Sequence, residues 1–162
     1  MSKITKVGQA GINLIKQSES FRSKPYLCPA GVWTIGYGTT FYFDTKKHVS
    51  KNDPPITEPE AERLLRGHID NVFAPLADKL LRDDLTQNEF DAVVDFLYNC
   101  GATYVDKFGK LQYYKLFRFI NERMNQMGLS EYWSGLCLTG GGKKLPGLVA
   151  RRAKEVELFF RK

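Results

Sequence analysis

The sequence has few cysteines and few histidines. Its three cysteines, Cys28, Cys100 and Cys137, form no Cys-x-x-Cys pair, and an odd number without a secretory leader favours reduced thiols over a disulfide framework. The two histidines, His48 and His68, have no partner at metal-ligand spacing. We therefore expect no metal site and no cofactor.

Long apolar runs are also missing. No window approaches the ~20 apolar residues that span a bilayer. Lysines interrupt the apolar positions of residues 1–17, so this segment lacks the core of a signal peptide. We expect a protein that does not insert into a membrane and that stays in the cytoplasm until it is released to its target. Repeats and low-complexity tracts are absent too, which indicates a single domain of residues 1–162.

Positive charge exceeds negative charge. The chain has 24 Lys and Arg against 18 Asp and Glu, a formal net charge of +6. This excess suits an anionic partner such as nucleic acid, an acidic membrane surface or an envelope polymer, although a merely well-solvated surface has the same charge. The Gly-Gly-Gly-Lys-Lys run at 140–144 lacks phosphate-loop spacing and argues against nucleotide binding.

Hydrophobic periodicity predicts one helix and one β region in the first third of the chain. The helix is expected at about 5–18, with Glu19 at or just beyond its end. Glycines among β-branched and aromatic residues at 25–43 predict a small hairpin or meander, the only convincing strand region. The polar segment 44–56 contains Asn-Asp-Pro-Pro, which blocks both helix and strand.

The remainder reads as helical. Thr57-x-x-Glu60 and Thr86-x-x-Glu89 are capping boxes that predict two helix starts. Pro75 should kink or end the first of these helices, and Gly101 should end the second.

Two further helices are expected at about 111–124 and 147–160. The predicted fold class is α+β, with a small β-hairpin or meander lobe at about 19–56 and a larger helical lobe at about 57–162. A helix joins the lobes, and the N-terminal helix packs on the helical lobe.

Three chemically active side chains surround the β region. Glu19 ends the first helix, Cys28 follows nine residues later, and Thr34 six residues after that. If the hairpin folds back towards the helix end, all three face one cleft. Hydrolysis of a glycosidic bond uses an acid in an apolar setting and a group that orients water. Each residue also has an ordinary structural role: an exposed carboxylate, a buried thiol and a strand threonine.

The spacing of these residues resembles a known signature. Glu19, eight residues, Cys28, five residues and Thr34 are similar to the Glu, Asp-or-Cys, Thr pattern of the phage-type lysozyme family, which includes the lysozymes of T-even bacteriophages. Thr-Ile-Gly-Tyr-Gly at 34–38 matches the family's Thr-Ile-Gly-x-Gly hairpin. Similar segments at 56–65, 86–101 and 146–155 extend the resemblance over nearly the whole chain.

The resemblance implies a lysozyme-like fold and an activity. The family hydrolyses the β-1,4 bond between N-acetylmuramic acid and N-acetylglucosamine in peptidoglycan. Glu19 would donate the proton to the leaving oxygen, and Thr34 would hold the attacking water. Cys28 stands where aspartate is common, and its role is open because a thiol with an ordinary pKa of ~8.5 is mostly protonated at neutral pH. Attack by water is favoured over a thiolate nucleophile.

The resemblance also implies substrate-binding residues. These are Gly38, Asn99 and Arg152, with Arg152 expected to pair with the catalytic glutamate, while helix capping is the commoner use of an asparagine such as Asn99. The expected partner is the glycan strand of peptidoglycan rather than nucleic acid, and the expected state is a monomer.

Two alternatives remain open at this point. A lytic transglycosylase also uses a catalytic glutamate but closes the sugar into an anhydro product. A non-catalytic wall-binding protein could keep the fold after losing a carboxylate at position 28.

Overall fold

The computed structural model describes residues 2–162. The α-helices are α1 (Gln9–Glu19), α2 (Glu58–His68), α3 (Ala74–Leu80), α4 (Gln87–Cys100), α5 (Leu116–Asn121), α6 (Gln126–Ser134) and α7 (Pro146–Phe160). The strands are β1 (Arg22–Leu27), β2 (Trp33–Gly36), β3 (Phe41–Tyr42), β4 (Lys47–His48), β5 (Thr103–Val105), β6 (Leu111–Tyr113), β7 (Thr139–Gly140) and β8 (Lys143–Lys144). The fold class is α+β, as predicted.

The strands form antiparallel pairs. β1 pairs with β2 in a register that places Arg22 opposite Gly36 and Leu27 opposite Trp33, and β3 pairs with β4. These two hairpins lie inside the predicted β lobe. β5 with β6, and β7 with β8, form two more hairpins within the helical half.

The prediction that 25–43 is the only strand region is therefore wrong, and so is the start of the helix expected at 111–124. Leu111–Tyr113 is a strand, and α5 begins only at Leu116. The Asp106 carboxylate accepts the backbone N–H of Phe108 at 2.9 Å and of Lys110 at 2.9 Å, which closes the turn between β5 and β6. The strands of an exposed hairpin such as this have no buried face. Their apolar residues therefore show no alternation that would distinguish a strand from a helix in the sequence.

Helix α4 is the centre of the core. Its residues 90–97 are all buried, and α1 and α7 pack against it. The buried Asp91 carboxylate accepts the backbone N–H of Gly8 at 2.8 Å and of Gly11 at 3.0 Å. It satisfies free N–H groups at the start of α1, where Gly8 supplies no side-chain cap. The first helix consequently begins at Gln9, later than predicted.

The segment between the lobes is a helix with an irregular turn. The Thr57 hydroxyl accepts the N–H of Glu60 at 3.3 Å at the start of α2, and Thr86 with Glu89 forms the complete box at α4. A π-helical turn at Ile69–Phe73 lies directly before α3, whose first turn contains Pro75. The predicted interruption at this proline is thus accommodated by a locally wider helix.

The β lobe packs on α2 through the aromatic ring of Phe43, which lies against Gly67. A Cβ atom placed on Gly67 would lie 2.0 Å from Cε1 of Phe43, so only glycine permits this contact. Among residues 2–162, no helix combines the length and the apolar character that crossing a bilayer requires.

Candidate active site

The end of α1, the first hairpin and the end of α4 enclose a cleft of about 370 Å³. Five of the six predicted site residues line it: Glu19, Cys28, Thr34, Gly38 and Asn99. The other lining residues are Tyr26, Pro29, Thr40, His68, Phe73 and Tyr98. The structure therefore brings the acid, the thiol and the hydroxyl into one cavity. Arg152 does not line it.

Glu19 reaches the cleft because α1 ends at this residue. Ser20 follows with a left-handed φ of 59°, and its N–H returns to the Lys16 carbonyl at 3.1 Å, so the chain turns sharply after the glutamate. Gly38 closes in from the other side with a φ of 79°. A Cβ atom at position 38 would lie 2.9 Å from Glu19 Oε2, so glycine is needed here both for its backbone conformation and for this close approach.

Arg151 forms the ion pair with Glu19. Its Nη1 donates to Glu19 Oε1 at 2.6 Å, while Nε and Nη2 donate to Asp95 at 3.0 and 2.9 Å. Burial alone would lower the pKa of Arg151, but the charges of Asp95 and Glu19 outweigh it and raise the pKa above its usual value. Arg151 is thus a permanent cation shared between two carboxyl groups.

The prediction that Arg152 pairs with the catalytic glutamate is wrong. Successive residues of a helix point about 100° apart, so only one arginine of the pair can face Glu19. Arg152 is 0% exposed, and its Nη2 donates to Asn99 Oδ1 and to Glu155 Oε1, each at 2.7 Å. Arg152 meets the cleft only through Asn99, which it holds in place.

Asp95 and Glu155 are buried carboxyl groups behind the cleft, and the sequence reasoning missed both. Both are fully buried, and Glu155 Oε2 accepts the indole N–H of Trp133 at 2.8 Å. Burial raises the pKa of Glu155 well above its usual value, and a hydrogen bond with Asp95 raises it further. The raised pKa favours the protonated form of Glu155, which lies beside Asp95 and is also paired with Arg152. The available signal was an aspartate within the apolar run at 90–97.

Cys28 and Thr34 lie on the hairpin between β1 and β2. The Cys28 N–H donates to the Val32 carbonyl at 3.0 Å, which forms the turn. A backbone hydrogen bond with Val32 lowers the pKa of the Cys28 thiol below its ordinary value, against the effect of burial. Thr34 is 3% exposed, and its hydroxyl donates to the Val32 carbonyl at 2.9 Å, which leaves the oxygen to accept from a water molecule.

His68, half-buried at the end of α2, packs against the Phe73 ring with 5.3 Å between centroids. Burial lowers its pKa, so the imidazole is neutral at physiological pH. Within residues 2–162, no cluster of three or more His, Cys, Asp or Glu side chains has the arrangement of a metal site.

Comparison with known proteins identifies the family. A family model described as phage lysozyme matches residues 16–155. The endolysin of Bacillus phage B103 is 38% identical over 158 residues, which cover 95% of this chain and 54% of that protein. The endolysin of Acyrthosiphon pisum secondary endosymbiont phage 1 is 34% identical over 155 residues, covering 94% of this chain and 97% of that protein.

Solved structures agree with these relatives. The muramidase domain of SpmX from Asticaccaulis excentricus superposes with a TM-score of 0.74 and 29% identity, covering 97% of this chain and 99% of that one. The chain spans about half the length of the Bacillus phage relatives. The lysozyme-like fold and the resemblance of the motifs are confirmed, and the chain belongs to the phage lysozyme family.

Proposed function

We propose that the chain is a peptidoglycan hydrolase, a glycoside hydrolase that cleaves the β-1,4 bond between N-acetylmuramic acid and N-acetylglucosamine. The observation that carries this proposal is the Glu19 carboxyl in the same cleft as the Thr34 hydroxyl, in a chain of the phage lysozyme family. Several relatives are named endolysins, and one solved neighbour is named a muramidase domain.

Glu19 is the general acid in this proposal. Arg151 occupies its Oε1, whereas the hydrogen bonds found among residues 2–162 leave Oε2 free, next to Gly38. Oε2 carries the proton to the leaving oxygen as the glycosidic bond breaks. Asp95 accepts two of the three hydrogen bonds that Arg151 donates to carboxylates. The guanidinium therefore orients Glu19 through the third hydrogen bond, while its positive charge is shared between Asp95 and Glu19.

Thr34 and Cys28 act on the attacking side. The Thr34 oxygen accepts a hydrogen bond from a water molecule, which attacks the anomeric carbon while the positive charge of the transition state develops. Cys28 places a polarisable sulfur near that centre, and the backbone hydrogen bond with Val32 lowers its pKa. Gly38 and Asn99 contact the glycan, and Arg152 serves substrate binding indirectly by fixing Asn99.

The test is digestion of purified peptidoglycan by the wild type and Glu19→Gln. We expect the wild type to release muropeptides with reducing ends, and Glu19→Gln to bind the wall but to release products at least a hundredfold more slowly. Anhydro ends on most fragments would instead identify a lytic transglycosylase. Wall binding by both proteins with release by neither would identify a binding protein.

We also propose that the protein acts as a monomer, because all the side chains of the cleft come from one chain. Sedimentation at working concentrations tests this. Storage in the cytoplasm before release stays a prediction, which fractionation of producing cells checks.

A further inference from the structure

A hydrogen bond from Tyr98 joins the two lobes at the glycan cleft. Tyr98 lies near the end of α4 and lines the cleft, and its hydroxyl donates to the carbonyl oxygen of Tyr37 at 2.6 Å. Tyr37 directly follows β2, so the hydrogen bond connects the helical lobe with the β lobe. Tyr98 is therefore a cleft residue with a defined contact, to which the proposed mechanism gives no role.

The carbonyl that accepts this hydrogen bond belongs to the peptide group that precedes Gly38. A peptide group is planar, so a donor on the Tyr37 oxygen also restrains the nitrogen of Gly38. Gly38 has a φ of 79°, and a Cβ atom there would lie 2.9 Å from Glu19 Oε2 and 3.1 Å from the Tyr98 hydroxyl. Both oxygens therefore approach Gly38 on the side where another residue would carry its side chain.

The turn that contains this peptide group is otherwise held at its ends. Ile35 and Thr39 exchange two backbone hydrogen bonds, of 2.8 and 2.9 Å, which close the turn. Within residues 2–162, Tyr98 is the only hydrogen-bond donor that reaches the Tyr37 carbonyl between them. Glycine permits both signs of φ, so a peptide group next to Gly38 can adopt more than one rotation. The Tyr98 hydroxyl favours one of these rotations.

The role of the Tyr98 hydroxyl is separable from that of its ring. The ring packs edge-on against Phe73, with 5.2 Å between centroids, and a phenylalanine ring could make the same contact. Burial and the charge of Glu19 raise the pKa of the Tyr98 phenol above its usual value, so the hydroxyl remains a donor at neutral pH. The hydrogen bond to Tyr37 is thus what distinguishes tyrosine from phenylalanine at this position.

We propose that Tyr98 is a positioning residue for the general acid, an inference that rests on the proposed function of Glu19. Arg151 binds Glu19 Oε1, and Gly38, restrained through Tyr98, lies against Oε2. Between these two contacts the carboxyl has little freedom to rotate, so Oε2 keeps the direction in which it gives its proton to the leaving oxygen. Without the hydroxyl, the peptide group before Gly38 rotates more freely, and the carboxyl spends less time in the productive orientation.

The experiment compares Tyr98→Phe with the wild type on purified peptidoglycan, below the melting temperature of both proteins. We expect kcat to fall about tenfold and KM to change less than twofold, because the variant keeps every group that contacts the glycan in the proposed function. The melting temperature should fall by about 3 °C, since one hydrogen bond is lost. A wild-type kcat in Tyr98→Phe would overturn the proposal.

Tyr42→Phe is the matched control. The Tyr42 hydroxyl donates to Asp53 Oδ2 at 2.8 Å within the β lobe, and Tyr42 does not line the glycan cleft. This variant also loses one tyrosine hydrogen bond, and it should keep the kcat of the wild type. Equal losses of kcat in Tyr42→Phe and Tyr98→Phe would mean that Tyr98 acts only through stability, which contradicts the proposal.

A measurement on the wild type does not require any variant to fold. In NMR spectra of the chain with labelled tyrosine, the hydroxyl proton of Tyr98 should exchange slowly with water and show a nuclear Overhauser contact with the α protons of Gly38. A Tyr98 hydroxyl proton in free exchange, without this contact, would refute the hydrogen bond on which the proposal depends.

Failure of this proposal and failure of the proposed function give different results. If Glu19→Gln is inactive and Tyr98→Phe has the kcat of the wild type, Tyr98 has no positioning role and the hydrolase function stands. If Glu19→Gln is as active as the wild type, Glu19 is not the general acid, and both the mechanism and the role of Tyr98 are wrong.

Discussion

A single guanidinium links Glu19 to a second carboxyl group. Arg151 donates one hydrogen bond to Glu19 and two to Asp95. The orientation of Glu19 therefore depends on Asp95, which does not line the cleft. We infer that Asp95 is a positioning residue.

Asp95→Asn tests this dependence. Asparagine lacks the charge that holds Arg151 Nε and Nη2, so the guanidinium should orient the Glu19 carboxyl less firmly. We expect kcat to fall by about tenfold while KM changes little, because the residues that line the cleft are unchanged. Initial rates of peptidoglycan hydrolysis measured over a range of substrate concentrations check this.

Asp91→Asn is the matched control for that experiment. Asp91 is a buried aspartate of the same helix, but it caps α1 and does not contact Arg151. It should lower the melting temperature and leave kcat unchanged. A kcat that falls equally in both variants would mean that Asp95 acts only through stability.

Glu155→Gln addresses the pH dependence of stability. The folded pKa of Glu155 is raised above its unfolded value of ~4.3, so the folded state binds more protons than the unfolded state above that pH. The associated stability is fully present below about pH 4.3 and is lost as the pH rises through the raised folded pKa. Glutamine does not ionise and should abolish this loss. Urea unfolding of both proteins at a series of pH values measures it, and parallel curves would contradict the expectation.

At the scale of elements, the contact between the Phe43 ring of the β lobe and Gly67 of α2 leaves no room for a side chain at position 67. Gly67→Ala would force a methyl group into the Phe43 ring, and we expect it to lower the free energy of unfolding by about 1–3 kcal/mol. Gly147→Ala is the control, since a Cβ there meets nothing within 4 Å and alanine favours the helix α7. Equal stability of the two variants, measured by urea unfolding, would show that the ring moves aside freely.

Local patterns predicted the elements whose signals are local. The capping box at Thr86, the end of the first helix at Glu19 and the β region at 25–43 depend on neighbouring residues, and the structure contains each of them. The hairpins β5–β6 and β7–β8 were missed because their short strands present no buried face. α6 was missed as well, since it contains Gly128 and two serines and buries only Leu129 and Trp133.

The candidate site also contains residues that local patterns predict and residues that they do not. Family spacing located Glu19, Cys28 and Thr34, and the structure places them in one cleft. The choice between Arg151 and Arg152 depends on how α7 is rotated against α4, which is a tertiary property that no local pattern contains. Asp95 on α4 meets Arg151 on α7 across that same contact.

At the scale of the whole molecule, net charge should govern capture of the substrate. With a formal charge of +6 and an anionic wall, the initial lysis rate should fall several-fold between low salt and about 0.3 M NaCl, where screening acts within about 6 Å. The double variant Lys143→Glu with Lys144→Glu lowers the formal charge by four units on an exposed hairpin and should show a weaker dependence on salt. If the salt dependence is unchanged in this variant, other basic residues are responsible for the attraction to the wall.

The ion pair between Glu19 and Arg151 joins residues 132 positions apart in the chain. During synthesis, Glu19 is therefore added early and Arg151 late. Every intermediate length between them lacks the ion pair. A premature stop between Glu19 and α7 yields a product with the glutamate but without the guanidinium that orients it. We infer that such products carry no assembled site.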